Sequence, residues 1–98
     1  MNVDDFRASL AAAAPPGGLT VPMRAMWHAG RDEWDRAHEL AQSEDTPTAA
    51  WVHAHLHRIE GDLANAGYWY RRAKRPASQA ALPDEWAEIV AALQSGAV

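Results

Sequence analysis

The chain has 98 residues, a formal net charge of −4 and no cysteine. This length suits one domain with a modest hydrophobic core. The missing cysteine excludes disulfides, thiolate metal sites and a cysteine nucleophile, and the negative charge argues against a general nucleic-acid binder, whose surface is usually basic. No apolar run approaches the ~20 residues of a membrane span. Because residues 1–5 are acidic and lack the basic flank of a signal peptide, we expect a cytoplasmic protein.

The composition predicts a single helical domain over residues 1–98, since alanine is abundant and residues that favour strands are scarce. Val3, Phe6 and Leu10 recur at helical spacing, which predicts a first helix within residues 1–14. The segment 15–21 contains Pro-Pro-Gly-Gly and is interpreted as a linker. We therefore expect the first helix to be loosely tethered to the remainder of the domain.

Two helices are predicted next. Pro22 suits the first turn of a helix and Gly30 suits its end. A second helix is expected over residues 32–43, because acidic side chains crowd its first turn, where the helix dipole favours negative charge. The short connection between these helices indicates that they lie antiparallel.

The strongest start signal in the chain is Thr46-Pro47, a capping hydroxyl followed by proline in the first helical turn. This helix is expected to continue to about Glu60. The pair Gly61-Asp62 then ends it and caps the following helix, which is expected to end near residue 75. The two helices therefore form a hairpin.

A last helix is predicted from Pro83 to Gly96, with Trp86, Ile89 and Val90 on its apolar face. The elements together predict an all-α protein of five to six helices, arranged as stacked antiparallel hairpins.

Residues 51–57 carry three histidines in an alternating pattern that is also typical of a strand. As a strand, the segment would present His53, His55 and His57 on one face, like metal ligands. A strand needs partners for its backbone, however, and no other segment has a similar pattern. The flanking helix signals favour a helix, in which His53 and His57 lie on one flank and His55 on the other.

The second hairpin has a glycine at the turn, followed by an apolar residue, alanine, an aromatic residue and alanine. These positions are Gly61, Leu63, Ala66, Tyr70 and Ala73, with Ala54 as the small residue of the preceding helix. This pattern resembles that of a tetratricopeptide or Sel1-like repeat. A weaker copy lies 29 residues earlier, where Trp34, Ala37 and Ala41 align with Leu63, Ala66 and Tyr70. The resemblance implies a stack of helical hairpins that contacts other proteins, and it transfers no catalytic residue.

We therefore predict a protein-interaction or assembly module that needs no cofactor and contains no catalytic residue. Its partner would be a protein or peptide, or a second copy of the chain, rather than a nucleic acid or a membrane. Arginine beside tyrosine and tryptophan is typical of protein interfaces. The expected contacts lie between the helices of residues 47–60 and 62–75, at Trp51, His55, Arg58, Tyr68, Trp69 and Arg72.

An alternative is a small metal-binding or acid–base enzyme. His53 and His57 lie one helical turn apart, as in many metal sites, and a third ligand would come from Glu60 or His38. The same imidazoles could simply be hydrogen-bonded inside the hairpin. An open cavity at these residues would favour the enzyme, whereas an enclosed, mutually hydrogen-bonded cluster would favour the binding module.

Overall fold

The computed structural model describes residues 1–96, which form six α-helices and no strand. The all-α prediction is confirmed, and the three-histidine segment is helical. Within this part of the chain, no helix combines the length and the hydrophobicity needed to cross a membrane. The helices are α1 (Val3–Ser9), α2 (Val21–Gly30), α3 (Trp34–Gln42), α4 (Pro47–Ile59), α5 (Leu63–Ala73) and α6 (Leu82–Ser95).

The centre of the fold is α4, which packs against α2, α3, α5 and α6. Every residue from 49 to 57 is buried. A helix that is buried all round normally carries apolar side chains on every face. Here small alanines allow close approach, whereas the three histidines bring polar groups that need partners on neighbouring helices. The position of each imidazole therefore depends on the helix that faces it.

The helices pair as two hairpins, α2 with α3 and α4 with α5. The turn of the second hairpin forms as the sequence predicts. Gly61 has a φ of +83°, which glycine adopts without strain. Asp62 caps α5, since its Oδ1 accepts a hydrogen bond from the Asn65 backbone N–H at 3.1 Å. Thr46 likewise caps α4 by accepting from the Ala49 N–H.

The segment predicted to be a loosely tethered helix contacts the core. Phe6 of α1 is fully buried, with its ring centroid 5.8 Å from that of Trp86 in α6. The helix ends at Ser9, earlier than the predicted residue 14. The backbone carbonyls of Leu10 and Ala12 instead accept hydrogen bonds from the Arg31 guanidinium, at 2.6 and 2.9 Å.

Tryptophan N–H groups connect the hairpins to each other and to α6. The Trp34 indole of α3 donates to the carbonyl of Leu56 in α4 at 2.7 Å. The Trp86 indole of α6 donates to the carbonyl of Met26 in α2 at 2.9 Å. These bonds satisfy both the indoles and backbone carbonyls that lie within the core, as buried polar groups require.

Close approach to α4 makes its alanines sensitive to added volume. The Ala54→Leu variant is expected to lose about 1–3 kcal/mol of unfolding free energy, because a larger side chain in a packed core strains its neighbours. Ala54 is fully buried, whereas Ala64 on α5 is exposed. Ala64→Leu is the control and should stay within about 0.5 kcal/mol of the wild type. Urea unfolding followed by circular dichroism measures both, and equal stabilities would contradict this packing.

Candidate functional site

Three histidines from two helices converge between α3 and α4. His38 lies on α3, whereas His53 and His57 lie one turn apart on α4. Their candidate metal-binding nitrogen atoms all lie within 4.8 Å of one another. The Nε2 atoms of His38 and His53 are 2.9 Å apart, so that one ring donates a hydrogen bond to the other. His38, one of the two residues expected from the sequence as a third metal ligand, therefore lies on the neighbouring helix, next to the pair His53 and His57.

Two tryptophans enclose this three-histidine cluster. The Trp34 ring stacks on His38 with 4.7 Å between centroids, and the Trp69 ring stacks on His53 at 3.8 Å. His53 and His57 are only 4% and 5% exposed. The rings of His53 and His57 are therefore enclosed, whereas His38 is half-buried at the edge of the cluster.

Glu60 orients the third imidazole. Nδ1 of His57 donates to Oε1 of Glu60 at 2.5 Å, so the carboxylate fixes the orientation of this ring. A carboxylate that holds the second nitrogen of a histidine is typical of metal sites. Asp62 and Glu60 also form a second possible ligand group with His57, but both carboxylates are exposed.

Two of the three rings, His38 and His53, are uncharged near neutral pH. Burial, together with the proximity of His38 and His57, lowers the pKa of His53 to about 4. The pKa of His38 is also lowered, first by burial and then by His57. Because His38 and His53 are neutral, a metal ion would not have to compete with a charged imidazolium at either ring, but the proton shared between their Nε2 atoms would have to move to an Nδ1.

A second polar cluster lies on the other side of α4. Glu85 of α6 is 1% exposed and accepts hydrogen bonds from three side chains. Nδ1 of His55 donates at 2.7 Å, Nη1 of Arg58 at 2.8 Å, and the Tyr70 hydroxyl completes the set. We call these four residues the Glu85 cluster. It ties α4, α5 and α6 together through one carboxylate.

The Glu85 cluster holds a buried charge. Burial alone would raise the pKa of Glu85, but hydrogen bonds from His55, Tyr70 and Arg58 outweigh this effect and hold it below its ordinary value. Burial and the bond to Glu85 also raise the pKa of Tyr70. A carboxylate with several donors can remain ionised inside a protein.

Sequence reasoning missed Glu85. An acidic residue in the first turn of a helix is normally explained by the helix dipole. The available signal was its spacing, since Glu85 stands four residues before the buried Ile89 and therefore lies on the apolar face of α6. Its partners come from α4 and α5, and no local pattern in the sequence indicates them.

The six predicted partner contacts differ in accessibility. Tyr68 is 43% exposed, and the Arg72 side chain is 44% exposed. The other four lie against neighbouring side chains of the chain itself, and the predicted binding role of all six stays a prediction. These four are Trp51 beneath the Arg75 guanidinium, His55 and Arg58 on Glu85, and Trp69 on His53.

Comparison of the chain with models of known protein families, with curated proteins and with solved structures finds no match. Any function proposed for the chain therefore depends on the geometry of the three-histidine cluster and the Glu85 cluster.

Removing the charge of Glu85 is expected to destabilise the fold. In Glu85→Gln, the amide NH₂ faces three donors and Arg58 loses its counter-ion, so the unfolding free energy should fall by at least about 2 kcal/mol. Glu88→Gln, an exposed position on the same helix, is the matched control and should change it by less than about 0.5 kcal/mol. Urea unfolding at pH 7 measures both. Similar losses in the two variants would contradict a special role for Glu85.

The same pair of proteins should differ in pH dependence. Because the pKa of Glu85 in the folded state lies below the ordinary value of 4.5, the unfolded chain takes up this proton first as the pH falls. The stabilisation is therefore complete above pH 4.5 and is lost as the pH falls through the folded-state pKa. Unfolding at pH 7, 5, 4 and 3 should show the gap between wild type and Glu85→Gln narrowing in acid. A gap that widens would contradict the assigned charge state.

Proposed function

We propose that the protein is a helical metal-binding module that holds a divalent transition metal ion through His38, His53 and His57. The observation that carries this proposal is the convergence of three imidazole nitrogens within 4.8 Å. Imidazole is a preferred ligand of zinc, copper, nickel and iron. In a tetrahedral zinc site with Zn–N bonds of ~2.0–2.1 Å, the ligand nitrogens lie about 3.4 Å apart. The 2.9 Å distance between Nε2 of His38 and of His53 would have to widen slightly, and a pair near the 4.8 Å limit would have to close by about 1.4 Å.

The surroundings of the cluster support a resident ion rather than catalysis. Trp34 and Trp69 cover the rings, and the low pKa values of His38 and His53 keep both neutral near pH 7. Glu60 supplies the orienting carboxylate. An ion at this position would connect α3 to α4 and so link one hairpin to the other. We infer a role in stabilising the hairpin stack, since a ligand that binds only the folded state raises its stability.

Zinc binding provides the test. Titration of the wild type with ZnCl₂ in a calorimeter should give one site per chain, with a rise in melting temperature. His38→Gln removes the most accessible ligand and should weaken zinc binding by at least about tenfold, as should Glu60→Gln. His28→Gln is the matched control, because His28 lies on α2, bonds to Glu33 and is not in the cluster.

Failure to observe zinc heat or thermal stabilisation in the wild type would overturn the proposal. So would an equal loss of zinc affinity in His28→Gln and His38→Gln, since the three-histidine cluster would then not be the site.

A second candidate function is assembly of the chain with a second copy through the α4–α5 hairpin, the one that resembles a tetratricopeptide or Sel1-like repeat. Ile59, Leu63 and Tyr68 of this hairpin region are 40%, 69% and 43% exposed. Hairpins of this kind bury their apolar faces by stacking on neighbours, and a second chain could supply such a neighbour. Contacts with other proteins, the absence of nucleic-acid binding and the cytoplasmic location stay predictions.

Sedimentation equilibrium tests self-assembly. The wild type is expected to dimerise within the range up to roughly 200 µM, which corresponds to a free energy of about −5 kcal/mol. The double variant Leu63→Ser/Tyr68→Ser should weaken the dimer, whereas Ala64→Ser, also exposed on α5, should not. A monomeric wild type over this range would exclude this function.

A further inference from the structure

A cleft of about 290 Å³ opens beside the Glu85 cluster, on the face of α4 away from the three-histidine cluster. Its lining is mainly apolar, with Leu10, Ile59, Leu82, Pro83 and Trp86 among the lining residues. This volume lies near the lower end of the range for small-molecule sites, which also combine an apolar wall with a few placed polar groups. The size suits a molecule built on a single ring.

His55 supplies a polar atom in the wall of this cleft. Its Nδ1 donates to Glu85, so in the neutral ring Nε2 carries a lone pair. Among residues 1–96, Nε2 of His55 has no hydrogen-bond partner, yet no fully buried side-chain nitrogen or oxygen in that range lacks one. Since His55 is among the residues that line the cleft, we infer that Nε2 is the ring atom that faces it, although the residue as a whole is only 1% exposed.

Hydrogen bonds of the Glu85 cluster fix the orientation of the His55 imidazole. Glu85 holds Nδ1, and Arg58 and Tyr70 in turn hold Glu85. Such a supported side chain presents its acceptor at one position without losing conformational freedom on binding. The cleft lining contains one carboxylate, Asp32, whereas Arg58 balances the charge of Glu85 behind the ring. An anionic ligand is therefore disfavoured, and a neutral hydrogen-bond donor suits the acceptor.

We propose that this cleft binds a small neutral molecule with an apolar ring and one hydroxyl group, whose hydroxyl donates a hydrogen bond to Nε2 of His55. The ring would lie against Trp86 and Ile59, and the hydroxyl would satisfy the acceptor that the protein leaves without a partner. The proposal depends on the Glu85 cluster and does not require a metal ion at the three-histidine cluster.

Two probes that differ only at the hydroxyl test the proposal on the wild-type protein. 4-Methylphenol carries the donor, and 4-methylanisole has the same ring with the hydroxyl methylated. Titration followed by ¹⁵N–¹H NMR should show saturable shifts of the Trp86 indole N–H and the Ile59 amide with 4-methylphenol. 4-Methylanisole should bind at least about fivefold more weakly, as expected for one lost hydrogen bond.

Two variants test whether the probes bind in this cleft. His55→Asn keeps an amide donor toward Glu85 but removes the Nε2 acceptor, and it should bring the affinity for 4-methylphenol down to that for 4-methylanisole. Ile59→Trp fills the cleft from an exposed position and should abolish binding of both probes. Ala64→Trp is the control for Ile59→Trp, because it adds the same ring at an exposed position that does not line the cleft.

The absence of saturable shifts with 4-methylphenol would overturn the proposal. Equal affinity of the wild type for the two probes would also overturn it, because the cleft would then be a purely apolar site that makes no use of His55. This second comparison uses only the wild type, so it holds even where His55→Asn fails to fold.

Discussion

The constraint on which the rest of the structure depends is the burial of α4, a helix that carries three histidines yet packs against four other helices. A polar group that leaves water without gaining a hydrogen bond costs several kcal/mol, about 1–3 by mutational measurements. Within residues 1–96 this cost does not arise for side chains, because every fully buried side-chain nitrogen and oxygen has a hydrogen-bond partner. The surrounding helices therefore have to bring matching groups to each imidazole.

The two sides of α4 meet this requirement in different ways. Toward α3, uncharged rings satisfy one another: His38 bonds to His53, and tryptophans cover both. Toward α6, a buried carboxylate collects donors, with Arg58 balancing the charge of Glu85. The first arrangement brings three imidazole nitrogens close together, and the proposed metal site rests on this convergence. The second fixes the His55 imidazole in the wall of an apolar cleft.

The three-histidine cluster and the Glu85 cluster both contain residues of α4. Residues placed on a rigid helix are held more precisely than residues on loops. The His38 and Glu85 variants separate the two sites, since they change partners on opposite flanks of α4. Loss of one cluster without the other would show that the flanks act independently, as expected for groups without shared partners.

The sequence by itself determined the helices and their ends. Thr46-Pro47 and Gly61-Asp62 are local signals that act within a few residues, and the structure places helix boundaries at both. The helical period also separated His55 from the other two histidines of the run. Only the tertiary structure decided what faces each of them. His38 and Glu85 come from elements 15 and 30 residues away from their histidine partners, and such distant pairings depend on how helices pack, which local periodicity does not encode. Glu85 stands in the first turn of α6, where an acidic residue is ordinary. Only the packing of the helices buries it and makes it the acceptor for three side chains.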